Sequence, residues 1–162
     1  MSHQKALLGA GCFWGVDLIL RKISGITKTE VGYAGGTTKN PTYQEVCTGQ
    51  TDHAEVVLIE FDPAIISYAG VLDVFFRLHD PTTLNRQHND VGTQYRSVIF
   101  TYNDEQRAVA LETIKKLEES QTFKNPIVTQ VMQAPEYFSA EAYHQDYLIK
   151  NPHGYMCHVL RD

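Results

Sequence analysis

The chain has 162 residues, 43% of them apolar and 20% charged, which fits one globular domain with a sizeable core and excludes a disordered chain. Its formal net charge of −5 argues against a nucleic-acid-binding protein, because such proteins usually carry a basic surplus. No stretch of the sequence is long and apolar enough to predict a membrane span.

The first residues and the cysteines indicate the compartment. The apolar run over 6–14 follows a single lysine, Lys5, and is interrupted by glycines, so it fits neither a secretory signal nor a lipoprotein signal. The three cysteines, Cys12, Cys47 and Cys157, are an odd number and a poor disulfide framework for a secreted fold. We therefore expect a cytoplasmic protein, whose cysteines are buried, catalytic or metal-binding.

The first third of the chain predicts strands around one helix. A short buried strand over 5–11 leads into a helix from Phe13, whose apolar residues recur at helical intervals, and Gly25 ends that helix. A second strand covers 27–36. Alternation and β-branched residues predict a third strand over 54–63, after an irregular stretch with one helical turn.

The remaining helices are predicted from their capping residues. Ser67 opens one helix, Asp104 opens another that runs to about Glu119, and Ser139 opens a third over 140–149. Sequence periodicity predicts an α+β fold from these elements but does not fix the topology.

Two more strands and one long loop complete the pattern. The strands are predicted over 96–102 and 127–134. The polar loop over 80–95 is longer than most connections in a compact domain, and long loops of this kind are usually functional. The tail over 151–162 contains a glycine, is weakly patterned, and is expected to be flexible.

Cys12 lies in the stretch GAGCFWGVD, where the first strand ends and the first helix begins. Backbone N–H groups at a helix start favour a thiolate, which is the nucleophilic form of cysteine. Gly11 and Gly15 permit close approach of a substrate to the backbone. At least one of Phe13 and Trp14 can form the wall of an apolar pocket beside the sulfur. An inert, buried Cys12 with core aromatics is the alternative that position alone leaves open.

Glu55 is the second candidate for chemistry. It shares one face of its predicted strand with Val57, Ile59 and Phe61. If that face is the core face, desolvation raises the pKa of Glu55 and lets it act as an acid near neutral pH. The alternative leaves Glu55 in water at the frayed start of the strand.

Polar loops supply the other candidate groups, which are Tyr43, Asp90 and Tyr95. Tyrosine hydroxyls donate hydrogen bonds without a change of charge, so they can bind a polar oxygen. Taken one at a time, these tyrosines are equally consistent with ordinary core or surface positions, because the chain has nine of them.

The segments that carry these candidates resemble the A-type peptide methionine sulfoxide reductases, the MsrA family, over nearly the whole chain. The most specific segment is GCFWG over 11–15. Further segments that match the family's pattern in its order are GYAGG over 32–36, NPTYQEVCTG over 40–49, HAEVV over 53–57, FFRLHDPT over 75–82, GTQYRS over 92–97 and YHQDYL over 143–148. The resemblance implies one domain over 1–162, a two-layer α/β sandwich with a mixed sheet of the ferredoxin-like (α-β plait) kind.

The resemblance also implies an activity, the reduction of methionine S-sulfoxide in oxidised proteins, in peptides or as the free amino acid. Cys12 would attack the sulfoxide sulfur, while Phe13 and Trp14 hold the methyl group. Glu55 would protonate or hydrogen-bond the sulfoxide oxygen. A sulfoxide oxygen is a poor leaving group until it gains a proton, so an acid and a nucleophile must converge on it.

Three further groups are assigned by the same resemblance. Tyr43 and Tyr95 would help to hold the sulfoxide oxygen, and Asp90 would orient the substrate directly or through water. The family also implies a monomer that needs neither a metal ion nor another cofactor.

The second half of the reaction concerns the oxidised enzyme. Attack releases methionine and leaves Cys12 as a sulfenic acid, which a second thiol converts to a disulfide. The resemblance implies Cys157 in the tail as that resolving cysteine and thioredoxin as the reductant of the disulfide. Cys47 is the competitor, although its place in the family pattern favours a structural role.

Three positions depart from the family's pattern. Asp17 stands where Glu is common, and Asp52 and His88 stand where Gly is common. If the backbone at positions 52 and 88 is left-handed, Asp tolerates it better than His does. His88 borders the expected site and could alter substrate preference.

Two other enzyme classes use a reactive cysteine. A thiol peroxidase with the same cysteine pair would need a cation beside Cys12, such as Arg86 or Arg96. A cysteine hydrolase would pair Cys12 with a histidine base, His53 or His144. We rank both below the reductase.

A non-enzymatic function would use the tail to bind a metal ion. The candidate ligands are His153, Cys157 and His158. These three residues lack a standard ligand spacing, so this interpretation also ranks below the reductase.

Overall fold

The structure of the protein is a computed structural model that describes residues 3–156 and 158–161. The strands within these ranges are β1 Gln4–Ala10, β2 Ile26–Ala34, β3 Ala54–Phe61, β4 Arg86–Gln87, β5 Asp90–Val91, β6 Ser97–Thr101, β7 Gln130–Gln133 and β8 Tyr137–Ser139. The α-helices are α1 Phe13–Leu20, α2 Tyr43–Cys47, α3 Tyr68–Leu78, α4 Asp104–Glu119 and α5 Tyr147–Lys150. None of the helices in the described ranges has the length and apolar character that crossing a bilayer requires.

Six strands form one mixed sheet in the order β7-β6-β1-β3-β2-β8. Neighbouring strands are antiparallel except β6 and β7, which are parallel. β4 and β5 form a separate two-stranded ladder. The two central strands, β1 and β3, carry the two groups that sequence analysis singled out first, because Cys12 follows β1 and Glu55 lies near the start of β3.

Both faces of the sheet are covered, which explains why β1 is apolar along most of its length. One face packs against α1, α3 and α4, and its core includes Leu8 from β1 and Ile59 from β3. The other face buries Leu7, Val56 and Phe100 in a smaller cluster. The predicted α+β class is confirmed.

The helix starts predicted at Phe13 and after Ser67 are confirmed, whereas the cap of α4 and the end of α1 are corrected. Ser67 caps α3, since its hydroxyl accepts a hydrogen bond from the amide of Gly70. The cap of α4 is Asn103 rather than Asp104, because the Asn103 side chain accepts from Gln106 N. α1 ends at Leu20, well before Gly25, where the backbone has φ 97°.

The single helix predicted over 140–149 is wrong. Ser139 ends β8, and a 3₁₀ turn and the short α5 follow, separated by a left-handed residue, Asp146, with φ 58°. The side chain of Gln145 accepts from Val31 N at 2.9 Å and donates to Val31 O at 2.8 Å. A side chain that binds a distant backbone in this way competes with helix formation.

The polar loop over 80–95 is ordered around short elements. It contains β4, β5 and a 3₁₀ turn over Thr93–Tyr95. His88 has φ 52° and Asp52 has φ 61°, so both positions that replace the family's glycine are left-handed. Asp and His both occur in the left-handed region more often than most other residues that carry a side chain, so neither residue is unusual at its position.

Candidate active site

Cys12 is the N-cap of α1 and is 7% exposed. Gly11, with φ 94°, makes the turn from β1, and Cys12 has the non-helical backbone angles φ −56° and ψ 119°. The sulfur-bearing residue therefore sits where the partial positive charge of the α1 N-terminus is concentrated. This is the environment expected for an activated cysteine.

Gly11 and Gly15 are needed for close packing against other parts of the protein. A Cβ on Gly15 would lie 2.6 Å from His158 Nδ1 and 3.0 Å from Met156 Sδ. A Cβ on Gly11 would meet the side chain of Gln87 at 2.7 Å. Within the described residues, the groups that approach this backbone belong to the protein's own tail and polar loop, and the approach of a substrate stays a prediction.

Glu55 lies on the helix-facing side of β3 and is 1% exposed. Its Oε1 accepts a hydrogen bond from Phe13 N at 3.1 Å, which ties it to the first amide after Cys12. Its Oε2 is buried and has no hydrogen-bond partner among the described residues. Burial raises the pKa of Glu55 to about 8, although the Phe13 N–H opposes this and the Asp90 carboxylate adds to it. The face of β3 that carries Glu55 is therefore the core face, and the alternative of a solvent-exposed Glu55 is wrong.

Tyr95 is half-buried within the electrostatic reach of the same groups. Burial raises its pKa, and the charges of Glu55, Cys47, Asp90 and Cys12 add to the shift. Its hydroxyl remains protonated and available as a donor at neutral pH.

Tyr43 approaches Glu55 from α2. Burial raises the pKa of Tyr43, and the Glu55 charge and a hydrogen bond with Cys47 contribute. Tyr43 N donates to Glu141 Oε2 at 2.9 Å, and Glu141 Oε1 accepts from Tyr33 OH at 2.8 Å. Glu141 thus links the backbone at the start of α2 to the Tyr33 side chain on β2.

Asp90 lies at the edge of the candidate active site. Its Oδ2 accepts a hydrogen bond from Tyr155 OH at 3.3 Å. Its charge reaches both Glu55 and Tyr95, because it raises the pKa of each. Asp90 therefore connects the polar loop to the tail at the margin of the site.

Aromatic rings form the apolar side of the site. Phe13 is buried, and Trp14 is partly buried and stacks on Tyr147 with ring centroids 3.9 Å apart. The Tyr43 ring lies 6.4 Å from Phe13 and 6.2 Å from Trp14. These rings support the expected pocket for a methyl group beside Cys12.

His144 also belongs to this cluster, although the sequence did not indicate it. Its ring lies 4.3 Å from Tyr43, 5.3 Å from Phe13 and 5.6 Å from Trp14. The YHQDYL segment matches the family's pattern, but its sequence predicts a helix and offers His144 only as the base of a hydrolase. The contact to Trp14 joins residues 130 positions apart, so no local pattern indicates it.

Of the other two cysteines, Cys47 and Cys157, only Cys47 lies within the described residues. Cys47, at the end of α2, is exposed, and a hydrogen bond links its side chain to Tyr43. Burial raises the pKa of the Cys47 thiol, and that hydrogen bond opposes the shift. Cys157, the expected resolving cysteine, lies outside the described residues.

The groups that the rival enzymes would need are occupied elsewhere. Arg96 donates to Gln130 Oε1, Asp52 O and Thr93 O. Arg86 Nε donates to His88 O at 2.8 Å. These contacts use the arginines that a peroxidase would place beside Cys12.

Both histidines that a hydrolase would use also have other partners. His53 binds Gly36 N through Nδ1 and Thr38 O through Nε2. His144 Nδ1 accepts from Trp14 Nε1. Neither arrangement suits a general base for Cys12. Across 3–156 and 158–161, no group of three or more His, Cys, Asp or Glu residues is placed to hold a metal ion.

Known proteins resemble this chain over almost its full length. The model of the peptide methionine sulfoxide reductase family matches residues 4–162. The peptide methionine sulfoxide reductase MsrA of Methanothermobacter thermautotrophicus is 55% identical over 159 residues, which cover 98% of this chain and 94% of that protein.

Solved structures show the same similarity. Reduced Mxr1 from Saccharomyces cerevisiae is 40% identical, with a TM-score of 0.91 over 99% of this chain and 93% of that one. Mxr1 in complex with Trx2 matches with 28% identity and a TM-score of 0.65, covering 99% of this chain and 91% of that one. On the evidence of sequence and fold together, this chain belongs to the peptide methionine sulfoxide reductase family.

Proposed function

We propose that the chain is a peptide-methionine (S)-S-oxide reductase in which Cys12 is the nucleophile and Glu55 the proton donor. The observation that carries this proposal is the buried Glu55 carboxyl, held by Phe13 N–H one residue after Cys12. With a pKa raised to about 8, Glu55 is mostly protonated at neutral pH. Its Oε2, which has no hydrogen-bond partner in the described part of the chain, is the oxygen that can deliver a proton.

The first half-reaction transfers one oxygen atom. The Cys12 thiolate attacks the sulfoxide sulfur and forms a sulfur–sulfur bond, while the sulfoxide oxygen takes the proton of Glu55. The hydroxyl group then passes from the substrate sulfur to Cys12 Sγ, and the S–O bond to the substrate and the sulfur–sulfur bond both break. Methionine leaves, and Cys12 becomes a sulfenic acid. Tyr43 and Tyr95 donate hydrogen bonds to the oxygen while it carries negative charge, Phe13 and Trp14 hold the methyl group, and Asp90 orients the substrate.

The second half-reaction restores the thiol. The Cys157 thiol displaces the hydroxyl of the Cys12 sulfenic acid as water and forms a disulfide. Thioredoxin then reduces this disulfide by thiol exchange. The complex of the yeast relative with Trx2 supports thioredoxin as the partner. No other cofactor enters the scheme.

The central strands support the finer fold assignment, a ferredoxin-like plait. Along the chain the core elements run β1-α1-β2-β3-α3-β6, and in the sheet the four strands run β6-β1-β3-β2. That order is the one expected of a βαββαβ plait. We further propose one catalytic domain over 1–162, a monomer, and a reducing cytoplasmic compartment, which the exposed thiol of Cys47 supports.

A single turnover without reductant tests the function. Reduced protein is mixed with methionine S-sulfoxide, free methionine is counted, and a non-reducing peptide map locates the new bond. We expect one methionine per protein and a Cys12–Cys157 disulfide, with no methionine from the R epimer. A Cys12–Cys47 disulfide would keep the activity and correct the resolving residue, whereas no methionine from folded protein would overturn the proposal.

The resolving cysteine needs a separate pair of variants. Cys157→Ser should still release one methionine per protein but should stall in the thioredoxin assay. Cys47→Ser is the matched control and should turn over normally. Unchanged turnover with thioredoxin in Cys157→Ser would remove Cys157 from the scheme.

A further inference from the structure

The side chain of Arg96 joins two backbone segments that the reaction scheme leaves unconnected. Its Nη1 donates to Asp52 O at 3.0 Å and to Thr93 O at 2.9 Å. Asp52 lies two residues before β3, the strand that carries Glu55, and Thr93 opens the 3₁₀ turn that ends at Tyr95. One guanidinium nitrogen therefore ties the turn that carries the phenol to the start of the strand that carries the acid.

The Arg96 side chain is itself closely confined. It is 7% exposed, and its Nε donates to Gln130 Oε1 at 3.1 Å. A Cβ on Gly35 would lie 2.8 Å from Nη2, so the guanidinium fills the space beside that glycine. A planar guanidinium presents its N–H groups in a rigid fork, which a flexible lysine ammonium does not reproduce. The fork therefore sets where the two bound carbonyl oxygens lie relative to each other.

Arg96 keeps its charge in this buried position. Burial lowers the pKa of Arg96, and the Asp52 carboxylate opposes that shift. The ordinary pKa of arginine is so far above neutral pH that the guanidinium stays protonated. Hydrogen bonds from a charged donor are stronger than those between neutral groups. Asp52, which stands where the family commonly has glycine, thus supplies a negative charge that glycine could not.

Gln94 makes a second connection, on the other side of Tyr95 in the chain. It is 4% exposed, and its Nε2 donates to Cys47 O at 3.4 Å. Cys47 is the last residue of α2, a helix of five residues that begins with Tyr43. A helix this short depends on tertiary contacts for its place. Gln94 therefore ties the turn of Tyr95 to the helix of Tyr43.

We infer that Arg96 and Gln94 are positioning residues for the Tyr95 phenol. Arg96 sets its place relative to Glu55, and Gln94 sets its place relative to Tyr43. The three groups come from a turn, a strand and a short helix, so their spacing depends on bonds between those elements. The kinetic consequence of this inference rests on the proposed function, whereas the bonds themselves do not.

Two variants remove the connections one at a time. Arg96→Lys keeps the charge and removes the fork, while Gln94→Met keeps the length of the side chain and removes the amide donor. In single turnovers at pH 7, we expect each to lower the saturating rate of methionine release about fivefold, the effect of one weakened hydrogen bond to the sulfoxide oxygen. The half-saturating concentration of methionine S-sulfoxide should stay within about twofold, because the methyl pocket is untouched.

Arg107→Lys, at an exposed position on α4, is the matched control and should keep the wild-type rate. The same rate in Arg96→Lys and in Gln94→Met would overturn the inference. If Arg96→Lys does not fold, Gln94→Met carries the test with the same two outcomes.

A double-mutant cycle tests whether the effect passes through the phenol. In a Tyr95→Phe background, Arg96→Lys and Gln94→Met should each add less than about twofold to the loss of rate, because the group that they position is already absent. A further loss as large as in the wild-type background would overturn the inference, since the side chains would then act on another group or on the fold in general.

Tyrosine NMR supplies a readout that needs no activity. With ring-labelled tyrosine, the signal of Tyr95 is assigned as the one lost in Tyr95→Phe. In Arg96→Lys and in Gln94→Met this signal should shift, whereas that of the exposed Tyr102, at the other end of β6, should stay in place. An unmoved Tyr95 signal in both variants would overturn the inference. If the wild type released no methionine, the reductase proposal would fail, and the Tyr95 signal would still decide what holds the phenol.

Discussion

At the scale of single residues, the state of Glu55 determines what the site can do. A protonated carboxyl presents one oxygen as an acceptor and the other as a donor. Oε1 already accepts from Phe13 N, so the proton belongs on Oε2, the oxygen without a partner in the described ranges. In the proposed scheme, the helix that begins after Cys12 therefore also orients the acid, because its first amide, Phe13 N–H, binds Glu55.

Glu55→Gln separates hydrogen bonding from proton transfer. The glutamine amide can still accept from Phe13 N and donate from its NH₂ group, but it cannot release a proton to the sulfoxide oxygen. We expect the single-turnover rate of methionine release to fall about 10²- to 10³-fold at pH 7. Glu60→Gln, on the opposite face of β3, is the matched control and should keep the rate.

The pH profile gives a second check on the same residue. The wild-type rate should fall as the pH rises through about 8, because the acid form of Glu55 is lost there. The residual rate of Glu55→Gln should show no such fall. A wild-type rate in Glu55→Gln would remove Glu55 from the mechanism.

The two phenols near Glu55 are expected to share one task. Tyr43→Phe and Tyr95→Phe each remove one neutral donor, and we expect each to lower the single-turnover rate about tenfold. The double variant should lose about a hundredfold or more if both hydroxyls bind the same oxygen. Tyr102→Phe, at an exposed position, is the control, and single variants at the control rate would contradict the assignment.

At the scale of elements, local patterns predict most of the site's framework. Apolar spacing indicated β1, α1 and β3, and these elements place Cys12 and Glu55 side by side. The segment 140–149 could not be predicted in the same way, because the side chain of Gln145 binds the backbone of Val31 instead of continuing a helix. That same irregular segment brings His144 to Trp14, which explains why the sequence did not predict this contact.

The described tail residues also dock on elements of the core. The side chain of Arg161 donates to Phe76 O and to His79 O, at the C-terminal end of α3. His158 Nε2 is 2.7 Å from Ala10 O, at the end of β1. Arg161 N donates to Arg77 O, so side chain and backbone both fasten the tail to α3. Cationic groups are favourable at a helix C-terminus, which adds to these bonds.

Arg161→Ala should therefore separate the two half-reactions. Methionine release in the first turnover should keep its rate, because Arg161 contacts none of the groups assigned to oxygen transfer. Formation of the disulfide should slow about three- to tenfold, since the tail loses a charge-assisted anchor. Rapid-quench measurement of methionine alongside titration of remaining thiols checks this. Arg107→Ala, an exposed arginine on α4, is the control, and equal slowing of both steps would contradict the argument.

At the scale of the whole molecule, the buried site makes stability depend on pH. Glu55 has a pKa of about 8 in the folded protein and an ordinary value of 4.5. Between these values the folded protein holds a proton that the unfolded chain has released. The stabilising contribution of Glu55 is thus complete below pH 4.5 and is lost as the pH rises through 8.

The buried side chain of His79 changes the free energy of unfolding in the opposite direction, and it does so at lower pH. Burial lowers the pKa of His79 to about 3 from an ordinary value of 6.5. The unfolded chain binds a proton there below pH 6.5 and the folded protein does not, so acid destabilises the fold in that range. The effects of Glu55 and His79 oppose each other between pH 4.5 and 6.5, and only the Glu55 effect remains between 6.5 and 8.

From these two groups, the free energy of unfolding should therefore be greatest and nearly constant between pH 4.5 and 6.5, and it should fall from pH 6.5 towards pH 8. For one group the slope is about 1.4 kcal/mol per pH unit, so the loss attributable to Glu55 is on the order of 2 kcal/mol over this window. Glu55→Gln has no proton to lose, so its stability should be nearly constant there, while Glu60→Gln should follow the wild type. Urea unfolding of the reduced proteins at several pH values measures the difference directly. Parallel curves for the wild type and Glu55→Gln would mean that Glu55 is already ionised in the fold, and the proton it is assigned to deliver would have to come from another group.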